Sequence, residues 1–249
     1  MTTILGLLIG IGGILMGNVL EGGHISSLAQ AAAAFVVFGG TFGAVMVSNR
    51  SEDLRRGLAL LSLAFSSEKV GFKKQVAAQI VEAAQLARRE SILALEGRIN
   101  NFATAHMRSV FRFLIDGVEP ETLKTIFQNE VQQEERRQMA AARIWMDAGG
   151  FAPTIGIVGA VLGLIHVMAN LTDTSALGQG IAVAFVATIY GVGSANLIFI
   201  PIANKIQRRI KEESNLKSMV IDGAVAIISG LNPYIIQEKL SAYMDGSAT

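Results

Sequence analysis

The stretch FAPTIGIVGAVLGLIH, residues 151–166, is almost entirely apolar and decides the fold class. With the residues that follow it, the stretch reaches the roughly 17–25 apolar residues that a helix needs to cross a bilayer. Pro153 stands near its start, and glycine recurs at 156, 159 and 163, which permits close approach of another helix. No Asp, Glu, Lys or Arg interrupts it. The stretch therefore predicts a membrane-spanning helix that packs tightly against a neighbour.

The composition of the whole chain agrees with a membrane protein. Hydrophobic residues make up 51% of the 249 residues, charged residues only 16%, and the mean hydropathy is +0.45. A soluble globular domain carries about 25% charged residues. The chain has no cysteine, so disulfides and thiolate metal sites are excluded. Its three histidines are scattered and predict no metal cluster, and a net charge of +1 gives no argument for nucleic acid.

Three further segments resemble the first in length and polarity, so the predicted spans are residues 4–20, 28–47, 151–171 and 181–202. Short links join the first two and the last two. The predicted fold is an all-α membrane protein with four transmembrane helices in two hairpins, and with a large helical cytoplasmic segment between spans 2 and 3. The predicted divisions are residues 1–48, 49–149, 150–203 and 204–249.

The distribution of basic residues predicts the orientation. Fifteen of the 21 Lys and Arg residues lie between Arg50 and Arg143, and the other six follow span 4. Neither hairpin tip carries one. Because loops rich in Lys and Arg stay on the cytoplasmic side, we expect both termini and the middle segment to be cytoplasmic. The charged runs before span 3 and after span 4 have helical patterns and should extend those spans into a helical stalk.

Ionisable groups are almost absent from the predicted spans, where only His166 occurs. An interhelical hydrogen bond, or a side chain that extends along the helix toward the membrane surface, explains this histidine better than a proton relay. An ion path through these spans must therefore use hydroxyl and backbone oxygens or borrow a carboxylate from another chain. The polar candidates are Thr154, Thr188, Tyr190, Ser194 and Asn196. Thr188 should lie close to mid-membrane, although a lone threonine in a span commonly bonds its own helix carbonyl.

Two other patterns left alternatives open. Small residues recur four apart in the spans, as at Gly6 and Gly10 or Gly159 and Gly163, and they suit packing within one subunit or against another chain. In the cytoplasmic segment, Arg88 and Glu96 stand eight residues apart, which on one helix would place them about 80° apart and facing one partner. The alternative is a solvated charged face.

The motifs of soluble catalysis are absent from the sequence. It has no phosphate-binding loop of the Walker type, no G-x-S-x-G and no H-E-x-x-H. We therefore expect no enzyme activity, no catalytic residue and no cofactor.

The order of these features, together with QLARRESILALE, DAGGFAPTIGIVGAVLGLIH, AVAFVATIYGVGSANLIFIPIANKI and MVIDGAVAIISGLNPYIIQEKL, resembles the MotA family of flagellar motor stator subunits. The resemblance covers almost the whole chain. It implies a protein of the bacterial inner membrane that forms a pentameric ring around a dimer of a single-span MotB-type partner. The partner's aspartate would then supply the missing carboxylate.

The resemblance also implies roles for single residues. Pro153 and Pro201 match the family's two span prolines, which couple ion passage to movement. Thr188 matches the pore threonine, with Thr154 as a further hydroxyl on the path. Arg88 and Glu96, with the adjacent Arg89, match the charges that engage the rotor protein FliG.

The conducted ion is inferred from one position. Sodium-driven relatives place a second threonine seven residues after the first span proline, where this chain has Ala160. One hydroxyl fewer leaves fewer oxygens to replace the hydration shell of sodium, so the resemblance implies protons. The alternatives are a sodium-driven stator of the PomA type, an energiser of an outer-membrane process of the ExbB/TolQ type, and a passive membrane scaffold without ion flux.

Overall fold

A computed structural model describes residues 2–66, 71–169, 171 and 174–245 of the chain. For residues 174–176 and 245 it describes the helix but not the side chains. The chain divides into two compact units. The first unit comprises Met1–Ser67 and Arg137–Arg209, and the second comprises Glu68–Arg136 and Ile210–Thr249. All regular structure in the described residues is helical, which confirms the predicted fold class.

The first hairpin begins with α1 (Thr2–Leu20), which at 1.5 Å per residue is about 28 Å long and matches the bilayer core. The second span is interrupted. It consists of α2 (Ile25–Leu28), α3 (Ala31–Ala34), a π-helical turn (Phe35–Gly39) and α4 (Gly40–Ser48). The amphipathic helix α5 (Ser51–Phe65) follows.

The other two spans belong to much longer helices. Helix α8 (Pro120–Ala169) contains the third span, and α9 (Thr174–Ser194), a second π-helical turn (Ala195–Phe199) and α10 (Ile200–Ile228) run on without a break. Four helices in all are long and apolar enough to cross a membrane among the described residues. The predicted continuation of spans 3 and 4 as helices is confirmed. Residues 172–173 of the second tip lie outside the described residues.

The two spans of the second hairpin pack closely against each other at glycine positions. A Cβ on Gly156 would lie 2.9 Å from the Ala187 carbonyl oxygen, and a Cβ on Gly163 would lie 2.9 Å from the Gly180 oxygen. A Cβ on Gly191 would come within 2.5 Å of the Ala152 oxygen. Gly156, Gly163 and Gly191 therefore serve packing within the chain, the first of the two alternatives. In α1, by contrast, several glycines meet nothing within 4 Å among the described residues, namely Gly6, Gly12, Gly13 and Gly17.

Span 2 packs on the second hairpin through residues four apart. Ala33, Val37, Thr41 and Val45 are all buried. In an α-helix, a spacing of four drifts by about 40° per step, and the π-helical turn in the middle of the run compensates for part of this drift. The run can therefore face the same neighbours along the whole span.

One end of the first unit is held by hydrogen bonds to the backbone. The Trp145 indole N–H donates to the Gly57 carbonyl at 2.9 Å, which ties α8 to α5. Thr3 donates to the Ala64 carbonyl at 2.8 Å and also accepts a hydrogen bond from Lys205. These contacts fix α1, α5 and α10 together at this end of the spans.

The second unit is a helical bundle with one apolar core. Its elements are α6 (Phe72–Arg89), a 3₁₀-helical segment (Ile92–Asn101), α7 (Ala105–Ile115), the first part of α8, most of α10, and α11 (Pro233–Asp245). The core contains fully buried side chains from each of these elements, including Ile80, Leu95, Phe111, Leu123, Met219 and Leu240. Tyr243 of α11 donates a 2.6 Å hydrogen bond to Asp222 of α10.

Candidate functional site

Thr188 and Ala160 lie at the same level of the second hairpin. A Cβ on Gly159 would lie 2.7 Å from the Ala187 methyl carbon, so α8 and α9 meet at this pair of positions. Ala160 and Thr188 are the next residues along their helices, and both are half-buried. The packing of α8 on α9 therefore places these two residues at a comparable depth along the spans, as expected.

The threonine hydroxyls of this hairpin bond to their own helices. Thr188 donates to the Ala184 carbonyl at 3.3 Å, and the exposed Thr154 donates to the Phe151 carbonyl at 2.8 Å. A hydroxyl that donates its hydrogen in this way keeps two lone pairs on its oxygen. Each oxygen can therefore still accept a hydrogen bond from a water or hydronium ion, or contact a cation.

The other polar side chains of span 4 have structural partners. Tyr190 donates to the Leu28 carbonyl at 2.5 Å and stacks on Phe38 with ring centroids 5.9 Å apart. Ser194 and Asn196 both bond carbonyls of the preceding turn. His166 is exposed on α8. Tyr190 therefore has a structural contact with span 2, whereas Ser194 and Asn196 bond carbonyls of their own helix, as Thr154 and Thr188 do.

Asp147 is a carboxylate near the spans that sequence reasoning missed. It lies six residues before Pro153, its side chain is only 22% exposed, and it accepts a 3.1 Å hydrogen bond from the Asn49 amide. Arg143 approaches it to 3.5 Å. Asp147 thus links α8 to the end of span 2. The only signal in the sequence was a single acid beside a glycine pair, which is too weak to identify it.

The surroundings of the two prolines contact each other. Pro153 lies inside α8 and lacks the N–H that would bond the carbonyl four residues earlier, at Gly149. A Cβ on Gly149 would lie 2.5 Å from an Ile200 side-chain carbon. Ile200 is the residue before Pro201, which itself follows the second π-helical turn. Both prolines therefore lie where the regular helix is weakened, and a packing contact joins the two places.

The predicted placement of Arg88 and Glu96 on one helix is wrong. Helix α6 ends at Arg89, and Glu96 lies in the 3₁₀-helical segment that follows. The helical structure is interrupted at Ser91, whose backbone is fully extended with φ −176° and ψ 168°. An angle computed for a continuous helix therefore does not apply to this pair. All three charged residues, Arg88, Arg89 and Glu96, are nevertheless exposed.

The core of the second unit holds this charged segment in place. Leu95 is fully buried and Ile99 is only 7% exposed. These two side chains, one before and one after Glu96 in the sequence, anchor the 3₁₀-helical segment in the core. A cleft of about 220 Å³ lies between α6 and the segment, and Arg89 and Arg98 line it. Sequence reasoning did not single out Arg98, because it reaches the same cleft as Arg89 only when α6 ends at Arg89 and the chain folds back.

Two family models of known proteins match most of this chain. The model for the MotA/TolQ/ExbB proton channel family matches residues 94–219, and that for the motility protein A N-terminal region matches residues 4–90. The chain belongs to the MotA/TolQ/ExbB proton channel family. The two matched ranges meet at residues 90–94, where α6 gives way to the 3₁₀-helical segment.

Relatives within the MotA/TolQ/ExbB family match over nearly the full length of the chain. Motility protein A of Bacillus subtilis is 33% identical over 98% of this chain and 90% of its own length. The structure of the MotAB stator complex from the same species has a TM-score of 0.89 at 33% identity, and covers 98% of this chain and 96% of that one. The Campylobacter jejuni MotAB structure has a TM-score of 0.91 at 28% identity, with 97% and 94% covered. The chain is thus a multi-pass membrane protein of the motility protein A type.

Proposed function

We propose that this chain is the ring-forming subunit of a flagellar stator unit that couples an inward flow of ions to torque on the rotor. One observation carries the proposal. The second hairpin offers the Thr188 oxygen near mid-span and the Thr154 oxygen near the start of span 3, but it contains no carboxylate in residues 151–169 and 174–202. A path of this kind needs a titratable group from another chain. The full-length likeness to MotAB complexes supports a MotB-type partner as the source of that group.

The mechanism follows from the residues along the path. An ion entering from outside neutralises the partner's carboxylate beside Thr188, which removes the cost of holding a charge against apolar walls. The ring then moves relative to the partner, and the ion leaves inward. Pro153 and Pro201 weaken the helices where Gly149 meets Ile200, so the spans can bend there during each step. A charge that crosses 100 mV supplies about 2.3 kcal/mol.

Replacement of the threonine hydroxyl tests the ion path. Thr188→Val keeps the shape of the side chain but removes its oxygen, so ion flux into vesicles and swimming speed should both fall. Thr188→Ser retains an oxygen and serves as the matched control. If the valine variant conducts ions and swims like the serine variant, Thr188 does not lie on the path.

We further propose that the ion is a proton, because position 160 carries a methyl group and not a second hydroxyl. The variant Ala160→Thr adds an oxygen at the level of Thr188. Swimming speed measured with sodium or potassium as the only cation, with and without a protonophore, distinguishes the ions. Speed that follows sodium in the unmodified chain would establish the sodium-driven alternative.

Arg88, Arg89 and Glu96 are proposed to contact the rotor protein FliG, because they are exposed on a segment that the core holds rigid. Arg88→Ala and Glu96→Gln should lower torque without changing ion flux. Arg112→Ala, an equally exposed charge on α7, is the control. Equal torque in all three variants would contradict the assignment.

The proposed assembly is five copies of this chain around two copies of the partner in the bacterial inner membrane. Residues 1–48 and 150–203 form the two hairpins, while 49–149 and 204–249 are cytoplasmic, as the one-sided distribution of Lys and Arg requires. Native mass spectrometry measures the stoichiometry. Because the chain lacks cysteine, single cysteines at His24 and Ser241 can be labelled with an impermeant maleimide. Labelling of Ser241→Cys in intact cells would refute the orientation.

An energiser of an outer-membrane process, of the ExbB/TolQ type, remains the second candidate, because the family model covers that branch as well. Deletion of the gene separates the two. Loss of swimming with intact outer-membrane transport supports the stator, and the reverse result supports the energiser.

A further inference from the structure

His106 is half-buried in the second unit, at a place that the proposed ion path does not use. It is the second residue of α7, and its ring packs edge-on against Phe127 of α8 with centroids 5.6 Å apart. Its Nε2 atom is covered and has no hydrogen-bond partner among the described residues. A covered ring nitrogen that lacks a hydrogen-bond partner carries a desolvation cost.

Charged groups from two other helices face this ring across a cavity of about 610 Å³. Glu130 comes from α8, while Glu213 and Lys217 come from α10, where they form an ion pair of 2.8 Å. On α7 itself, Arg108 bonds the Phe102 carbonyl at 2.7 Å. A charge on His106 would therefore act directly on the packing of α7 against α8 and α10.

The surroundings lower the pKa of His106 from 6.5. Burial is the largest cause; Glu130 opposes it, the Lys217 ammonium adds to it, and the Lys217 backbone and Glu213 oppose it. When α7 separates from its neighbours, the pKa returns toward 6.5. The packed state therefore has its full stability above pH 6.5 and loses stability as the pH falls from there through the lowered pKa.

We propose that His106 is a cytoplasmic proton sensor whose protonation releases α7 from α8 and α10. The buried face of α7, including Met107 and Phe111, packs in the same core as Leu95 and Ile99. Those two side chains anchor the segment that carries Glu96. Release of α7 therefore loosens the charged segment, and this last step rests on the proposed contact with the rotor. A motor that delivers protons to the cytoplasm would then lose rotor coupling as the cytoplasm acidifies.

Hydrogen exchange of peptides covering α7 tests the sensor directly. It is measured in the purified complex of the full chain with its single-span partner between pH 7.5 and 5.5, with each rate divided by the intrinsic rate at that pH. Protection of α7 should fall with pH, by up to about tenfold for each unit that the pKa lies below 6.5. His106→Gln should make protection independent of pH, while His24→Gln, in the first tip, should behave like the unmodified chain.

Two charge variants identify the sensing group even if His106→Gln does not fold. Glu130→Gln removes a group that favours the protonated ring, so the loss of protection on acidification should become larger. Lys217→Gln removes an opposing charge and frees Glu213, so the loss should become smaller. A pH response that persists in His106→Gln, or that is the same in both charge variants, would overturn the proposal.

Motor speed in cells treated with a permeant weak acid tests the link to the rotor. The unmodified motor should slow as the cytoplasm acidifies, and the His106→Gln motor should slow less. Equal slowing of the two refutes the coupling step. If deletion of the chain leaves motility unchanged, the proposed function fails, while the exchange experiment on the purified protein still decides the sensor.

Discussion

Substitution of Gly191 by alanine is the sharpest test of how the second hairpin is packed. The added Cβ would lie 2.5 Å from the Ala152 carbonyl oxygen and 3.1 Å from the Gly156 Cα, so it meets backbone atoms of α8 and not flexible side chains. The oxygen contact is about 0.5 Å inside the 3.0 Å limit that real Cβ atoms respect. Overpacking of this kind costs about 1–3 kcal/mol. Alanine regains about 0.5–1 kcal/mol of helix stability, so the mid-range values leave a net loss of about 1 kcal/mol, with an upper limit of about 2.5 kcal/mol.

Gly193 is the matched control, because it lies on the same helix and its Cβ would meet nothing within 4 Å among the described residues. Gly193→Ala should be neutral or slightly stabilising. Unfolding in mixed detergent micelles can be followed by the fluorescence of Trp145, the chain's single tryptophan. Gly191→Ala should raise the unfolded fraction about fivefold, and at most about 70-fold, at a fixed detergent composition. Equal stability of the two variants would refute the close approach of α8 and α9.

Three further outcomes can be measured, on the purified protein for stability and on motors in cells for torque. Trp145→Phe leaves the Gly57 carbonyl without its indole donor and should lower the free energy of unfolding by about 1–3 kcal/mol, as followed by circular dichroism; an unchanged transition would contradict this. Burial and the hydrogen bond to Asp222 raise the pKa of Tyr243, so hydrogen exchange of α11 should accelerate as the pH rises above 10 and should do so less in Tyr243→Phe. Pro153→Ala restores a helix hydrogen bond and should stabilise the chain while lowering torque; a less stable variant would show that the proline fits the native helix.

The apolar spans and the long helices that continue them could be predicted from the sequence, because hydropathy and helical periodicity are properties of short windows. Helix α8 is an example of such a long helix, because a charged segment with helical periodicity continues directly into the apolar residues 151–169. The use of Gly156 and Gly163 could not be assigned in advance. A small residue permits close approach, but only the packed structure shows that the neighbour is α9 of the same chain.

The break after Arg89 was not predicted because its cause is tertiary. The sequence LARRESILALEG contains good helix formers and no proline, so local propensity favours one continuous helix. Burial of Leu95 and Ile99 in the core of the second unit favours a turn at Ser91 instead. Asp147 was overlooked for a similar reason, since its partner Asn49 is 98 residues away in the chain.

The π-helical turn at Phe35–Gly39 restricts the length of span 2 more than it restricts its composition. Many apolar side chains would suit this turn, and substitutions there should be tolerated. A deletion of one residue would convert the turn to an α-helix and rotate every later side chain of the span by about 100°. Thr41 and Val45 would then leave the interior, and lipid-facing residues would replace them. The residue types in this stretch should therefore differ among related chains, while the number of residues should stay the same.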